Sequence, residues 1–519
     1  MQLPSECDVL VVGSGNAGFC AAISAAQSGA QRVVIIDKCP EKWIGGNTYF
    51  TAGAFRTVHN GLNDLLPLVN NALPQFIPDI EMNAYTEADF FTDMNRVTNR
   101  RTDRDLCQAL VAESRATIQW LADNGVRFQL SFNRQAYHVN RKIKFWGGLA
   151  LKTEDGGKGL IQDHLRTAQM HGISIFFSTA AQSLIYDATS RAVTGMEVIH
   201  HGQDREIKAS AVILAAGGFE ANPRMRAQFL GPDWDAALVR GTPYNFGDCL
   251  DFAIRVVSAK PVGNWSGCHC VAWDANAPAN NGDREISNEF TKSSYPLGIM
   301  VNRKGHRFVD EGSDFRNYTY AMIGRQILAQ PGHVAFQIFD CHTISWLRYE
   351  EYREEIVERI LASSISELAE ICASQHGLED AKQFEKTIAE FNEAVYESRW
   401  SNPNQRFDPT IKDGLSTQSQ TLALAIPKSN WALPIDQGPF LAVKVTAGIT
   451  FTFGGLAVNP KTAAVISSMT DEQIPGLYCV GEMLGGLFYD NYPGGSGLTS
   501  GAVFGRRAGR AAAEACRPT

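Results

Sequence analysis

What the chain lacks narrows it first. Its eleven cysteines form no CxxC pair and no CxxCH, and their number is odd. That excludes a regular disulfide framework and a c-type haem site, and points to the reduced thiols of an intracellular protein. Cys268 and Cys270 flank His269, but no second cluster completes a ligand set, so no metal is expected. No Lys/Arg run occurs, and the formal charge of -8 gives no footprint for nucleic acid. No apolar run approaches the roughly 20 residues of a membrane-spanning helix. The first residues enter a strand without a charged start or an apolar core ahead of it, so no signal peptide is expected and a cytoplasmic location follows. What remains is an ordinary globular composition, 44% hydrophobic and 20% charged, over 519 residues. That length implies about two or three domains with interior enough to bury a cofactor.

The front of the chain carries the strongest pattern. Asp8 to Val12 reads as a short apolar strand, Phe19 to Ser28 as an Ala-rich helix, and Gln31 to Ile36 as a second strand ending at Asp37 and Lys38. Between strand and helix stands Gly13-Ser14-Gly15-Asn16-Ala17-Gly18, a GxGxxG turn. Its first glycine permits the tight turn, its second lets backbone approach a pyrophosphate, and its third lets helix and strand pack closely. Asp37 lies 19 residues beyond Gly18, where a ribose-binding acid belongs. Strand, turn, helix and acid in register predict dinucleotide binding, without separating FAD from NAD.

Farther on, 60–125 reads as mostly helical, with Asp105 to Asp123 the clearest case, and Leu160 to His171 as another helix. Strands are expected at Ser174 to Phe177, Ala192 to His200 and Ala211 to Ala215. Pro261 to Pro296 is crowded with aromatic, Asn, Pro and Gly residues and reads as loop-rich. Strands follow at Gly298 to Asn302 and Ala335 to Asp340, then charged helices around Tyr349 to Leu361 and Gln383 to Glu397. Short strands at Phe440 to Val445, Leu456 to Val458 and Leu477 to Val480, and a helix near Gly501 to Cys516, complete the chain.

Three further stretches resemble the flavoprotein family of soluble fumarate reductases, the succinate dehydrogenase flavoprotein subunit and 3-ketosteroid dehydrogenases. Gly45-Gly46-Asn47 with Thr51-Ala52-Gly53 is similar to that family's flavin-side loop. Ala211 to Gly218, ending in Ala216-Gly217-Gly218, resembles its second glycine-ended strand. Leu477 to Glu482 resembles its C-terminal strand, whose acid meets the ribityl chain, and the turn from Gly494 to Gly501, with Gly497 and Leu498, opens a last helix toward the flavin. The resemblance implies an α/β fold: a Rossmann-like FAD-binding domain (1–263 and 447–519) with an inserted α+β capping domain (264–446). It also implies FAD held non-covalently, because Asn47 to Phe55 contains no histidine that could tether it. No second GxGxxG unit is evident, which argues against an NAD(P)H-reducing domain.

The same resemblance supplies the candidate catalytic residues. His269 falls where the family places a substrate-binding histidine; the alternative is a satisfied loop histidine. His306-Arg307-Phe308-Val309-Asp310-Glu311 resembles the family's RFVNE stretch, and Arg316 lies within a residue of its proton-shuttling arginine. On chemistry alone Arg316 is a bidentate carboxylate clamp, since a guanidinium is a poor base. Tyr295 and Tyr492 are alternative acids or bases, or plain packing aromatics. Two departures stand out: Ile449 to Gly455 carries no histidines, and Asn491-Tyr492-Pro493-Gly494-Gly495 has no carboxylate-holding arginine. Phe308 to Tyr320, Ser294 to Asn302 and Asn491 to Gly497 are closer to the FAD-dependent tricarballylate dehydrogenases. The expected activity is therefore dehydrogenation, or the reverse reduction, of a carbon–carbon bond in a small polycarboxylate, with electrons passed to a separate acceptor (protein, quinone or oxygen). A flavin dehydrogenase or isomerase of a bulky ketone, and a flavin-binding protein without turnover, are the alternatives.

Overall fold

The computed structural model describes residues 2–139, 141–278 and 283–517. The chain divides into two compact units, one comprising 1–235, 241–269 and 451–519, the other 236–240 and 270–450.

The first unit is built on an eight-stranded sheet. Strand β1 (Glu6–Val12) runs parallel to β2 (Val33–Ile36) on one side and to Gln203–Leu214 on the other, and helix α1 (Asn16–Gln27) makes the crossover. Both faces of β1 are covered, so Val9, Leu10 and Val11 are wholly buried and the strand reads as a continuous apolar run. Gln203–Leu214 pairs in parallel with Gln473–Cys479, placing the C-terminal strand beside the glycine-ended one. The last helix, Ser496–Ala515, lies against α1 through a stripe of glycines. A Cβ on Gly505 would come within 2.7 Å of the Ala17 carbonyl, and one on Gly509 within 2.2 Å of that of Ala21. This close approach brings the starts of the two helices together: Asn16 Nδ2 donates to the Leu498 carbonyl at 2.9 Å.

The second unit holds a six-stranded sheet in which Phe440–Leu456 pairs with Leu238–Val239, Ala335–Phe339 and Ile360–Ala362. Its side chains alternate strictly. Ile299, Val301, Phe336 and Ile338 face one core with the helices Ile365–Gln375 and Ala381–Ser401. Met300, Phe339, Leu441 and Val443 face another with Ile323 and Ile327. The α/β class with a second α+β unit is thus the one adopted.

Three local expectations are corrected. Pro261–Asp274 is a strand of 14 residues, not loop: it pairs with Phe440–Leu456, and from Gly267 onward every residue is buried. Its Asn and Gly content suggested loop, and tertiary pairing overrides that signal. The 349–361 segment is helical only over Tyr349–Tyr352, because Ile360–Ala362 is drawn onto the sheet edge opposite Phe440–Ala442. Phe440–Leu456 is one continuous strand rather than two short ones. It runs through Gly454 and Gly455, where a Cβ would strike Trp265 and the Met483 carbonyl. No helix among the described residues is long and apolar enough to cross a membrane.

Candidate functional site

In the first unit, the glycine-rich turn is held from three sides. Ser14 donates from its backbone N–H (2.9 Å) and its hydroxyl (2.6 Å) to Asp37 Oδ2, so the expected ribose acid is also the brace of the loop. Lys38 points to Asp248, at 2.5 Å, and is a surface pair. Asn16 donates its N–H to Thr48 and receives His164 Nε2 on Oδ1 at 2.9 Å. With its amide nitrogen directed at Leu498, Asn16 leaves His164 the role of donor, in the neutral Nε2–H tautomer. Burial pushes the pKa of His164 down to about 3, which keeps it neutral. Neither His164 nor Ser14 was read from the sequence; both are ordinary residues until the fold places them.

The glycines of the turn differ from one another. A Cβ on Gly18 would sit 2.0 Å from the Gly13 carbonyl, so the protein's own packing requires glycine there. On Gly15 a Cβ meets nothing closer than 3.5 Å, and on Gly46 nothing within 4 Å. At Gly15 the surrounding protein does not itself require glycine, whereas at Gly46 the left-handed backbone, φ 50°, favours it. Two converging helix starts, an acid at the end of β2 and an open second glycine fit a dinucleotide pyrophosphate and ribose. Gly53 differs again: its Cβ position is filled by Thr153 and Gly156. It is a packing glycine.

Ala216, Gly217 and Gly218 leave the end of Gln203–Leu214 and meet Met483, Asn245 and Glu482. Glu482, half-buried, accepts from the Thr452 N–H at 2.8 Å. Next to it, Glu220 is fully buried and accepts from Asn47 Nδ2 and Asn245 Nδ2, both at 2.5 Å. Glu220, Asn245 and Thr452 were missed in the sequence, although Glu220 directly follows the AAGGF run and that position was a visible signal. Arg56 was also missed. Wholly buried, it donates to the Gly494 carbonyl and to Tyr85, and so fastens the final glycine turn.

Around that turn lies a cluster of five rings. His269 is buried, tilted on Phe451 at 5.3 Å and edge-on to Tyr492 at 5.2 Å. Tyr492 also meets Phe451, Phe453 and Phe488 at 5.1, 6.4 and 5.4 Å. A Cβ on Gly497 would lie 3.9 Å from Tyr492 and 4.0 Å from Phe451, so the rings border the first turn of the last helix. The structure brings His269, Tyr492 and Gly497 together.

Arg316 and Tyr295 belong to the second unit. Arg316 is half-buried and opens the helix Arg316–Leu328. Tyr295 is 1% exposed, packs with Ile323, Ile327 and Phe339, and bonds Thr319 through its hydroxyl at 2.5 Å. Burial raises its pKa further above the usual tyrosine range, which favours the neutral phenol. Arg307 and Glu311 form a buried ion pair, with Glu311 also accepting from the Met300 N–H, and support the strand Ile299–Asn302. Among the described residues no group of three or more His, Cys, Asp or Glu side chains could hold a metal ion.

A family profile described as FAD binding domain matches residues 8–498. The chain is 25% identical over 516 residues to an NADH:fumarate oxidoreductase of Klebsiella pneumoniae (strain 342), covering 99% of this chain and 48% of that one. It therefore spans about half the length of that relative. It is 25% identical over 531 residues to a vinyl phenol reductase of Lactiplantibacillus plantarum, covering 98% of this chain and 96% of the relative. Among solved structures, a 3-ketosteroid delta1-dehydrogenase of Sterolibacterium denitrificans superposes with a TM-score of 0.73 at 20% identity, over 98% of this chain and 100% of the other.

Proposed function

We propose, for a chain that belongs to the FAD binding domain family and is therefore a flavin-dependent oxidoreductase with FAD as its cofactor, that it reduces or forms a carbon–carbon double bond conjugated to a flat, ring-bearing group. The observation that carries this reading is the five-ring cluster of His269, Phe451, Phe453, Phe488 and Tyr492 beside Gly497. Tyr492 stands in the stretch where the fumarate reductase resemblance implies a carboxylate-holding arginine, and Phe451 and Phe453 in the one where it implies histidines. Aromatic side chains favour apolar faces and edges of a planar substrate, and Tyr492 adds one hydroxyl for a carbonyl or phenolic oxygen. The vinyl phenol reductase likeness supports the same substrate class.

FAD, when bound, supplies hydride acceptance or donation at the reacting carbon. The chain's own contributions are to hold the dinucleotide on the two helix starts, to seat the substrate on the rings and to place Tyr492 for proton or hydrogen-bond assistance. FAD is bound without a covalent link, since Asn47 to Phe55 offers no tethering histidine; acid or heat then releases it intact, whereas colour that stays on the denatured chain contradicts this.

A second reading, oxidation of a small polycarboxylate such as tricarballylate, is favoured by Arg316, half-buried at the first position of its helix, whose planar guanidinium matches a carboxylate with two bonds. An anaerobic screen of organic acids and ring ketones for flavin bleaching separates the two. Bleaching by ring compounds alone supports the first reading; bleaching by tricarballylate alone replaces it with the second. In either case the electrons leave to a separate acceptor.

A further inference from the structure

Five separate chain segments converge on two carboxyl groups in the first unit. Glu220 Oε1 accepts from Asn47 in the flavin-side loop and from Asn245. Glu482 Oε1 accepts from the backbone and hydroxyl of Thr452, at 2.8 and 3.3 Å. The backbone is shaped to admit them: a Cβ on Gly218 would strike Glu482 Oε1 at 2.2 Å, and one on Gly217 would strike Asn245 at 2.3 Å. Glu482 lies against Gly218, two residues before Glu220, so the two acids are buried neighbours that shift one another's titration. Glu220 Oε2 is buried and receives no N–H or hydroxyl donor from any other group. Two ionised carboxylates side by side in a buried site repel each other, and a buried acceptor without a donor is costly. A single proton between them satisfies both. Arg226, the charged side chain beside Glu220, directs its guanidinium to the backbone carbonyls of Glu220, Trp234 and Asp235.

We infer that Glu220 and Glu482 are a carboxyl pair sharing one proton, and that Glu220 is a positioning residue for bound FAD, tying the Asn47 loop to the Glu482 segment. Burial moves the pKa of Glu220 upward, and burial together with the neighbouring Glu220 moves that of Glu482 upward, in the direction the shared proton requires. Glu482 keeps partial exposure and can reach a cofactor, while Glu220, with none, acts only through its neighbours. The inference concerns cofactor retention and holds for either substrate class.

Glutamine is the discriminating replacement, because its amide supplies the donor that the shared proton otherwise provides and lets the remaining carboxyl ionise. Infrared difference spectra of the holoenzyme against Glu220→Gln, and against Glu482→Gln, should each show loss of the C=O stretch of a protonated carboxylic acid at neutral pH, with a shift of that band in D2O. In parallel, Glu220→Gln should hold FAD within about threefold of the parent, and Glu220→Ala should weaken it by roughly tenfold or more, as expected for a lost buried hydrogen-bond partner. If Glu220→Ala does not fold, the infrared comparison of the glutamine variants decides. Absence of an acid band that both glutamine variants remove overturns the pair, and FAD retention unchanged in a folded Glu220→Ala overturns the positioning role.

Discussion

Two places in the chain, the glycine contacts around α1 in the first unit and the phenylalanine core with the Lys292–Asp274 pair in the second, manage close packing by opposite means. In the first, backbone meets backbone: Gly18 against the Gly13 carbonyl, Gly505 and Gly509 against the α1 carbonyls, with no side chain between. In the second, contacts are made by bulk and by buried charge. Phe336, Phe384 and Phe391 fill one core, and Lys292 and Asp274, both with fully buried side chains, form an ion pair at 3.4 Å. The difference teaches where each unit is fragile. Adding atoms breaks the first; removing one partner breaks the second.

The comparison can be broken most severely at the glycine turn. Gly18→Val should prevent folding, since its first carbon already overlaps a carbonyl and overpacking there exceeds the usual cost of about 1–3 kcal/mol. Gly15→Val should fold and lose FAD, because a Cβ at Gly15 meets Thr48 and Gly45 only at the ordinary contact distances of 3.5 and 3.7 Å. Circular dichroism with flavin absorbance checks both, and a Gly15→Val protein that keeps stoichiometric FAD would place the cofactor elsewhere. Next in size, Lys292→Met leaves Asp274 buried without its partner and should cost about 3–5 kcal/mol in urea unfolding, with FAD content unchanged.

This contrast also explains what was legible in the sequence. Glycine positions announce themselves by spacing, so β1, α1, β2 and Asp37 were readable from the sequence, while the final turn at Gly494 to Gly501 was marked by the resemblance. Buried polar partners do not. Glu220, His164, Arg56 and Lys292 look like any solvated residue until distant segments meet them, as Asn47 and Asn245 meet Glu220. The strand Pro261–Asp274 was hidden for a related reason. Its Asn264 and Gly267 suggest loop, yet Asn264 bonds Asp490 at 2.8 Å and a Cβ on Gly267 would strike the Asn264 amide at 2.5 Å. The ring cluster was visible only as separate letters: Phe451, Phe453 and Tyr492 in the two stretches that the resemblance marked as departures, and Phe488 outside both.

At the catalytic level the two units are set against each other by one pair of variants. Tyr492→Phe should keep the flavin spectrum and slow flavin reduction or reoxidation by substrate about a hundredfold, the scale of general acid–base assistance. Arg316→Lys, which keeps charge and loses the planar fork, should have the smaller effect on a ring substrate. Stopped-flow absorbance measures both, and the reverse ranking favours the polycarboxylate reading.

The smallest expected effect is a slope with pH. His164 titrates at about 3 in the folded chain against an ordinary value of 6.5, so the unfolded chain binds the extra proton between those limits. Its contribution to stability is full above about pH 6.5 and is lost as pH falls toward 3, by at most about 1.4 kcal/mol per pH unit. Urea titrations across that window should show the slope flattened in His164→Gln, which cannot titrate yet keeps a donor for Asn16.

The central claim, that FAD in this chain exchanges hydride with a conjugated carbon–carbon bond on a ring-bearing substrate, is tested most directly by reducing the bound flavin photochemically without oxygen and adding candidate acceptors one at a time. Return of the oxidised flavin spectrum with a vinyl phenol or a cyclic enone, and not with fumarate or an open-chain polycarboxylate, is the predicted result. Reoxidation by the polycarboxylate alkene alone, or by none of these compounds, would contradict it.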